Sequence, residues 1–224
     1  MSVLTSIDDR AFLAVNDFAR DTPWLHGAAV DFAKYGVVLF GLAIVAAVVY
    51  SRWHAARTTA AAVWAGIGTM LAVAVNQPIG NAVGEHRPYT MYPHALLLVD
   101  KTTDFSFPSD HAVMAGAVAM GLFLVSRRFG LVALVAALLM AFTRVYVGAH
   151  FPQDVVAGLL LGAAVVAIGW LLVASPLTSA VGALRETRLS PVLVADQPVA
   201  AAAARPARRP ENRQPPRNVP SRDR

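Results

Sequence analysis

Arg87, Ser109, His111, Arg144, His150 and Asp154 are polar or ionisable residues set among long apolar stretches of the chain. Such groups are expensive at membrane depth, so a cluster of them marks a functional site. The two arginines point to an anion, because guanidinium forks pair with phosphate or carboxylate oxygens in bidentate fashion. Ser109 stands at an expected helix start, where free backbone N–H groups and the positive dipole end add to a phosphate cradle. Two histidines supply what hydrolysis of a phosphate ester needs. One can attack phosphorus and split a hard step into two easier ones; the other can act as general acid and then as base for water. His150 precedes Asp154 by four residues, a spacing that lets the carboxylate accept a ring proton and set the tautomer. His111, His150, Asp110 and Asp154 could instead ligate zinc, but the two arginines would set cations against a cation. That electrostatic conflict disfavours the metal reading.

The surrounding composition says where this chemistry takes place. The 224 residues are 56% hydrophobic and 15% charged, with a mean hydropathy of +0.52, whereas a soluble domain carries roughly 25% charged residues. Several uncharged stretches approach or exceed the ~20 residues that cross a bilayer. The expected fold is all-α: a polytopic membrane helix bundle of about five transmembrane helices plus an N-terminal amphipathic helix. The absence of cysteine excludes disulfides, thiolate catalysis and Cys-ligated metals. Much of the basic excess lies in the C-terminal tail, which indicates membrane orientation or anionic lipid rather than a nucleic-acid partner.

Residues 1–34 form an N-terminal amphipathic or interfacial region, with apolar Ile7, Phe12, Leu13, Val15 and Phe18 among charged neighbours. The start lacks the pattern of a signal peptide, so insertion is expected to rely on internal segments. Asp21-Thr22-Pro23 reads as a stop and restart, with Thr22 capping and Pro23 opening the next helix. Residues 35–175 form the membrane domain, with spans at 35–51, 58–84, 109–126, 129–147 and 152–174. Asn76-Gln77-Pro78 predicts a disturbance in the second span, and Arg127-Arg128 a tight turn between the third and fourth. The long 85–107 connection has an apolar run at 95–99 that should pack down. A juxtamembrane segment, 176–198, leads to a disordered basic Pro/Ala/Arg-rich tail, 199–224.

Arg52 and Arg57, Arg127-Arg128 and the tail fall on one side of a five-span arrangement, which the positive-inside rule makes cytoplasmic. Arg87, Ser109, His111, Arg144, His150 and Asp154 then share the extracytoplasmic face. The C-terminal tail is then expected on the cytoplasmic side.

These residues lie in three blocks: HRP at 86–88, PSDH at 108–111, and R-x5-H-x3-D from Arg144 to Asp154. The blocks resemble the three-part signature of the type 2 phosphatidic acid phosphatase (PAP2) superfamily, K-x6-RP, PSxH and SR-x5-H-x3-D. The resemblance implies His150 as the nucleophile that forms a phosphohistidine, Asp154 as its orienting partner, and His111 as the acid for the leaving group. It also implies Arg87, Ser109 and Arg144 as phosphate-binding residues in a metal-independent reaction, so that no cofactor is expected. The chain departs from the pattern at Gly80, where the motif has lysine, and at Thr143, where it has serine. Lys101 is a candidate replacement for the missing lysine, set against the reading of an ordinary exposed loop lysine. The context RPY, D-x-SFPSDHA and RVYVGAHFPQD is most similar to the bacitracin-resistance type of undecaprenyl-diphosphate phosphatase. Such an enzyme would remove the terminal phosphate of a polyprenyl diphosphate and return the lipid carrier to cell-wall synthesis. The other readings are a phosphatidylglycerophosphate or phosphatidic acid phosphatase of the same superfamily and, in a different class, an inactive membrane adaptor.

Overall fold

The computed structural model describes residues 3–187, with side chains from residue 7. Its helices are α1 (Val3–Asp21), α2 (His26–Ser51), α3 (Ala56–Val83), the short α4 (Pro88–Met91), α5 (Asp110–Val125), α6 (Arg127–Tyr146) and α7 (Pro152–Arg185), with no strand among the described residues. The chain is an all-α polytopic bundle, as its apolar runs require. Four segments, containing α2, α3, α6 and α7, are long and apolar enough to cross a membrane, and α5 is a shorter apolar helix between them. At 16 residues, α5 is about 24 Å long, less than the ~30 Å hydrocarbon core. Its polar head is therefore covered by the 85–109 connection rather than by lipid alone.

Helix α5 occupies the centre, packed on α3, α6 and α7. Small residues make this possible, because without a hydrophobic drive between helices in lipid, close backbone approach supplies the contact. Gly116 on α5 lies against the Leu159 backbone, and Gly162 on α7 lies against the Val113 backbone, so a Cβ at either would overlap a carbonyl. Helix α2 is peripheral, with Val38, Leu39, Leu42 and Val45 exposed along it, where lipid acyl chains satisfy them.

Helix α1 uses both of its faces. Phe12, Asn16 and Ala19 are buried against the bundle while Ile7, Leu13 and Phe18 remain exposed. Asn16 clamps the long connection, donating from Nδ2 to Leu96 O at 2.8 Å and accepting from Leu96 N at 2.9 Å. Leu96, Leu98 and Val99 pack beside Tyr146 and Val147, so the apolar run does turn inward.

Local expectations differ from the structure in several places. Helix α3 continues through Pro78 to Val83, which membrane helices tolerate when neighbours re-satisfy the freed backbone. Arg127 and Arg128 begin α6 rather than forming a turn; Ser126 alone is extended between the helices. Gly130 allows this, since the Phe123 side chain occupies the space its Cβ would take. Thr22 makes no side-chain cap; its hydroxyl donates to Phe18 O at 2.7 Å instead. Helix α7 runs past Pro176, the expected start of the juxtamembrane segment, to Arg185. Buried Val181 packs with Trp170, Ala60 and Ala61, and Arg185 donates to His54 O at 2.9 Å and Thr59 Oγ1 at 2.5 Å. These contacts hold the extension that periodicity alone does not. The 199–224 tail and the end of the 176–198 segment lie outside the described residues.

Candidate active site

The turn between α6 and α7 presents His150. Gly148, with φ 79°, sits against Leu96 O where a side chain would collide, and Ala149 N returns to Arg144 O at 3.1 Å. This folds His150 back over the end of α6, beside Arg144. The imidazole is buried and its tautomer follows from its partners. Arg87 Nη1, which can only donate, lies 3.1 Å from Nε2, so Nε2 carries the lone pair. Nδ1 must then bear the hydrogen, and it donates to the Ser106 carbonyl at 2.9 Å. Burial, reinforced by the Arg144 and Arg87 charges, holds the ring well below the usual histidine range. The resting ring is neutral, with Nε2 aimed at the arginine side of the site.

Asp154 occupies the third position of α7, where its Oδ2 accepts from Phe151 N at 2.9 Å and so caps the helix. Oδ2 also accepts from Ser106 Oγ at 2.5 Å. It lies 3.5 Å from His150 Nδ1, farther than the Ser106 carbonyl. The spacing of four places carboxylate and ring side by side, but Ser106 stands between them. Sequence reasoning passed over this residue. Its signal was its place in the D-x-SFPSDHA context, which carried the resemblance without giving Ser106 a role.

Arg87 precedes the short α4. It donates from Nη2 to Asp104 Oδ2 at 2.8 Å and from Nη1 to Ala149 O at 3.0 Å. Burial alone would raise the Asp104 carboxyl, but the Thr102 hydrogen bond and Arg87 hold it below the usual carboxylate range. Asp104, the acid that opens the same D-x-SFPSDHA context, is the second residue to which sequence reasoning gave no role.

On the opposite wall, Ser109 N donates to Asp154 O at 3.1 Å, tying the α5 head to α7. Ser109 Oγ and Arg144 Nε are buried with no protein partner. An orphaned buried donor is unfavourable unless a ligand meets it, and an anion would satisfy both. His111 lies on the first turn of α5, within range of the Arg144, Arg87 and His150 charges. All six residues singled out by type and spacing therefore converge. Asp110 accepts from Asn76 Nδ2 at 2.7 Å and Gln77 Nε2 at 3.0 Å. Those amides, expected to mark a disturbance in the span, brace α3 against α5.

Gly80 lines a cavity of about 150 Å³ with Asn76, Gln77, Asp104, Phe107 and Asp110. Its backbone approaches Phe107 O so closely that an added Cβ would lie 3.2 Å away. Lys101 does not replace the motif lysine here: its Nζ lies over the Tyr89 ring, 5.7 Å from the centroid.

Residues 61–176, which contain every one of these side chains, match the PAP2 superfamily. The chain belongs to the PAP2 superfamily. A bacitracin transport permease protein, BcrC, of Bacillus licheniformis is 28% identical over 152 residues, 68% of this chain and 73% of the relative. An undecaprenyl-diphosphatase of Sulfolobus acidocaldarius is 31% identical over 139 residues, 62% of this chain and 66% of the relative. The solved PAP2-type phosphatidylglycerolphosphate phosphatase of Bacillus subtilis shares the fold, with a TM-score of 0.57 at 20% identity over 75% of this chain and 85% of that one. This PAP2 protein is a multi-pass membrane hydrolase, a lipid phosphatase.

Proposed function

We propose that this PAP2 phosphatase hydrolyses undecaprenyl (polyprenyl) diphosphate to the monophosphate and inorganic phosphate through a phosphohistidine on His150. The observation that carries the mechanism is the His150 tautomer, with Nδ1–H engaged by Ser106 O and the Nε2 lone pair facing Arg87. On substrate binding the terminal phosphate takes the Arg87 guanidinium, joined by Arg144, Ser109 and the free N–H groups of α5, and this uncovers Nε2. Nε2 attacks the terminal phosphorus as the bond to the bridging oxygen breaks. Protonated His111 gives its proton to that oxygen, which leaves as the prenyl monophosphate. Neutral His111 then takes a proton from water, the hydroxide breaks the P–N bond, and inorganic phosphate departs. The reaction balances without a metal.

Sidedness follows the charges. Arg185 joins His54 and Thr59, gathering the α7 end and the α2–α3 loop at the end of the bundle opposite the α5 head. The positive-inside rule makes that end cytoplasmic and the site extracytoplasmic. The name of the Sulfolobus relative, an undecaprenyl-diphosphatase, supports a polyprenyl diphosphate over a glycerophospholipid.

Phosphate release by the purified protein from polyprenyl diphosphate, phosphatidylglycerophosphate and phosphatidic acid, with chelator present, tests this reading. Polyprenyl diphosphate should turn over fastest. Faster release from either glycerolipid would reassign the substrate, and inhibition by chelator rescued only by a divalent ion would sink the metal-free mechanism.

A further inference from the structure

The hydrogen bonds around His150 converge on a residue outside the three signature blocks. Ser106 is fully buried and uses three of its groups. Its N–H donates to Glu85 O at 2.8 Å, two residues before Arg87. Its carbonyl accepts from His150 Nδ1 at 2.9 Å. Its Oγ donates to Asp154 Oδ2 at 2.5 Å and lies 3.4 Å from His150 Nδ1. Asp154 Oδ2 itself stands 3.5 Å from that nitrogen, so the shortest hydrogen-bonded route from carboxylate to imidazole passes through Ser106.

We propose that Ser106 is a positioning residue through which Asp154 acts on His150. The carbonyl fixes the Nδ1–H tautomer that leaves Nε2 as the attacking atom. The hydroxyl pins Asp154 Oδ2 near the ring yet keeps it from taking the ring hydrogen directly. The full charge of Asp154 would otherwise favour imidazolium, which has no lone pair on Nε2 and cannot attack. When the Nε2–P bond forms and positive charge develops on the ring, the same carboxylate is close enough to stabilise it. This assignment rests on His150 being the nucleophile.

The test is Ser106→Ala, alone and combined with Asp154→Asn, with kcat, KM and the pH profile of kcat/KM measured in detergent. Loss of such an orienting partner should lower kcat by about 10- to 100-fold with KM nearly unchanged. Without the hydroxyl, Asp154 Oδ2 draws harder on Nδ1–H and favours the charged ring, so the acid limb should move to higher pH. The other groups facing His150 stay in place: Arg87 ahead of α4, Asp104 in the connection, His111 on α5 and Arg144 on α6. Adding Ser106→Ala to Asp154→Asn should cost less than about threefold further, because residues that act as a unit are not additive.

Wild-type kcat, an unmoved acid limb, or losses that multiply in the double variant would each overturn the proposal. So would a Ser106→Ala protein that no longer elutes like the wild type, which assigns the hydroxyl a structural role. His150→Ala in the same assay separates the two levels. If it retains turnover, the nucleophile reading fails; if it is inactive while Ser106→Ala is unaffected, only the role of Ser106 fails.

Discussion

The two histidines of the site are held in opposite ways. His150 is buried, with Nδ1 engaged by Ser106 and Nε2 by Arg87. His111, on the first turn of α5, is only partly buried, and its ring makes no hydrogen bond among the described residues. A nucleophile has to be in one tautomer and one orientation before substrate arrives, since each misplaced state subtracts from the reactive population. A general acid and base must exchange protons with a leaving group and then with water, so it needs an open face. The contrast matches the two proposed roles: the fixed ring attacks and the free ring shuttles protons.

The sharpest way to break this contrast is His150→Ala, which should reduce phosphate release at least ~10⁴-fold and abolish acid-labile phosphate labelling of the protein. Near-normal turnover would reverse the assignment. His111→Ala should cost less, about 10²- to 10⁴-fold, and the loss should shrink on an aryl phosphate whose leaving group needs no proton. An equal loss on both substrates would deny His111 the acid role. Arg144→Lys keeps the charge but removes the planar fork, and should lower kcat/KM by about 10²-fold while leaving the acid limb set by His150 in place.

The scaffold beneath both histidines can be tested separately. Gly162→Ala puts a methyl against the Val113 backbone and should destabilise the bundle by about 1–3 kcal/mol, read as a lower melting temperature in detergent. The smallest effect concerns Glu85, whose main-chain carbonyl takes the Ser106 N–H. Burial first, then the Asp154 charge, raise the Glu85 carboxyl from its ordinary 4.5 to about 6. A carboxyl raised in the folded state contributes stability that is fully present below pH 4.5 and is lost as pH rises through about 6. Glu85→Gln should therefore flatten the melting temperature between those limits. A variant with the same pH slope as wild type would show that Glu85 is not the group responsible.

Membrane class, the helix-rich fold and the identities of the six convergent side chains were legible because they depend on local properties. Apolar run length is counted against bilayer thickness, and the three motif blocks are short stretches whose order along alternating spans puts them on one face. Pro176, Pro78 and Arg127-Arg128 misled local reading. At both prolines the helix continues where neighbours or a tethered arginine offset what the local chemistry disfavours, whereas Arg127-Arg128 open α6 directly after the extended Ser126.

The sequence by itself determined which groups meet at one end of the bundle. Tertiary structure alone decided which nitrogen of His150 carries the lone pair and what stands between the ring and Asp154. That answer depends on Ser106, 44 residues from His150 and 48 from Asp154, being delivered by a connection that Asn16 clamps and the α5 head anchors. Hydrogen bonds are directional and short-ranged, so a partner brought in over such a separation is set by how the loop docks.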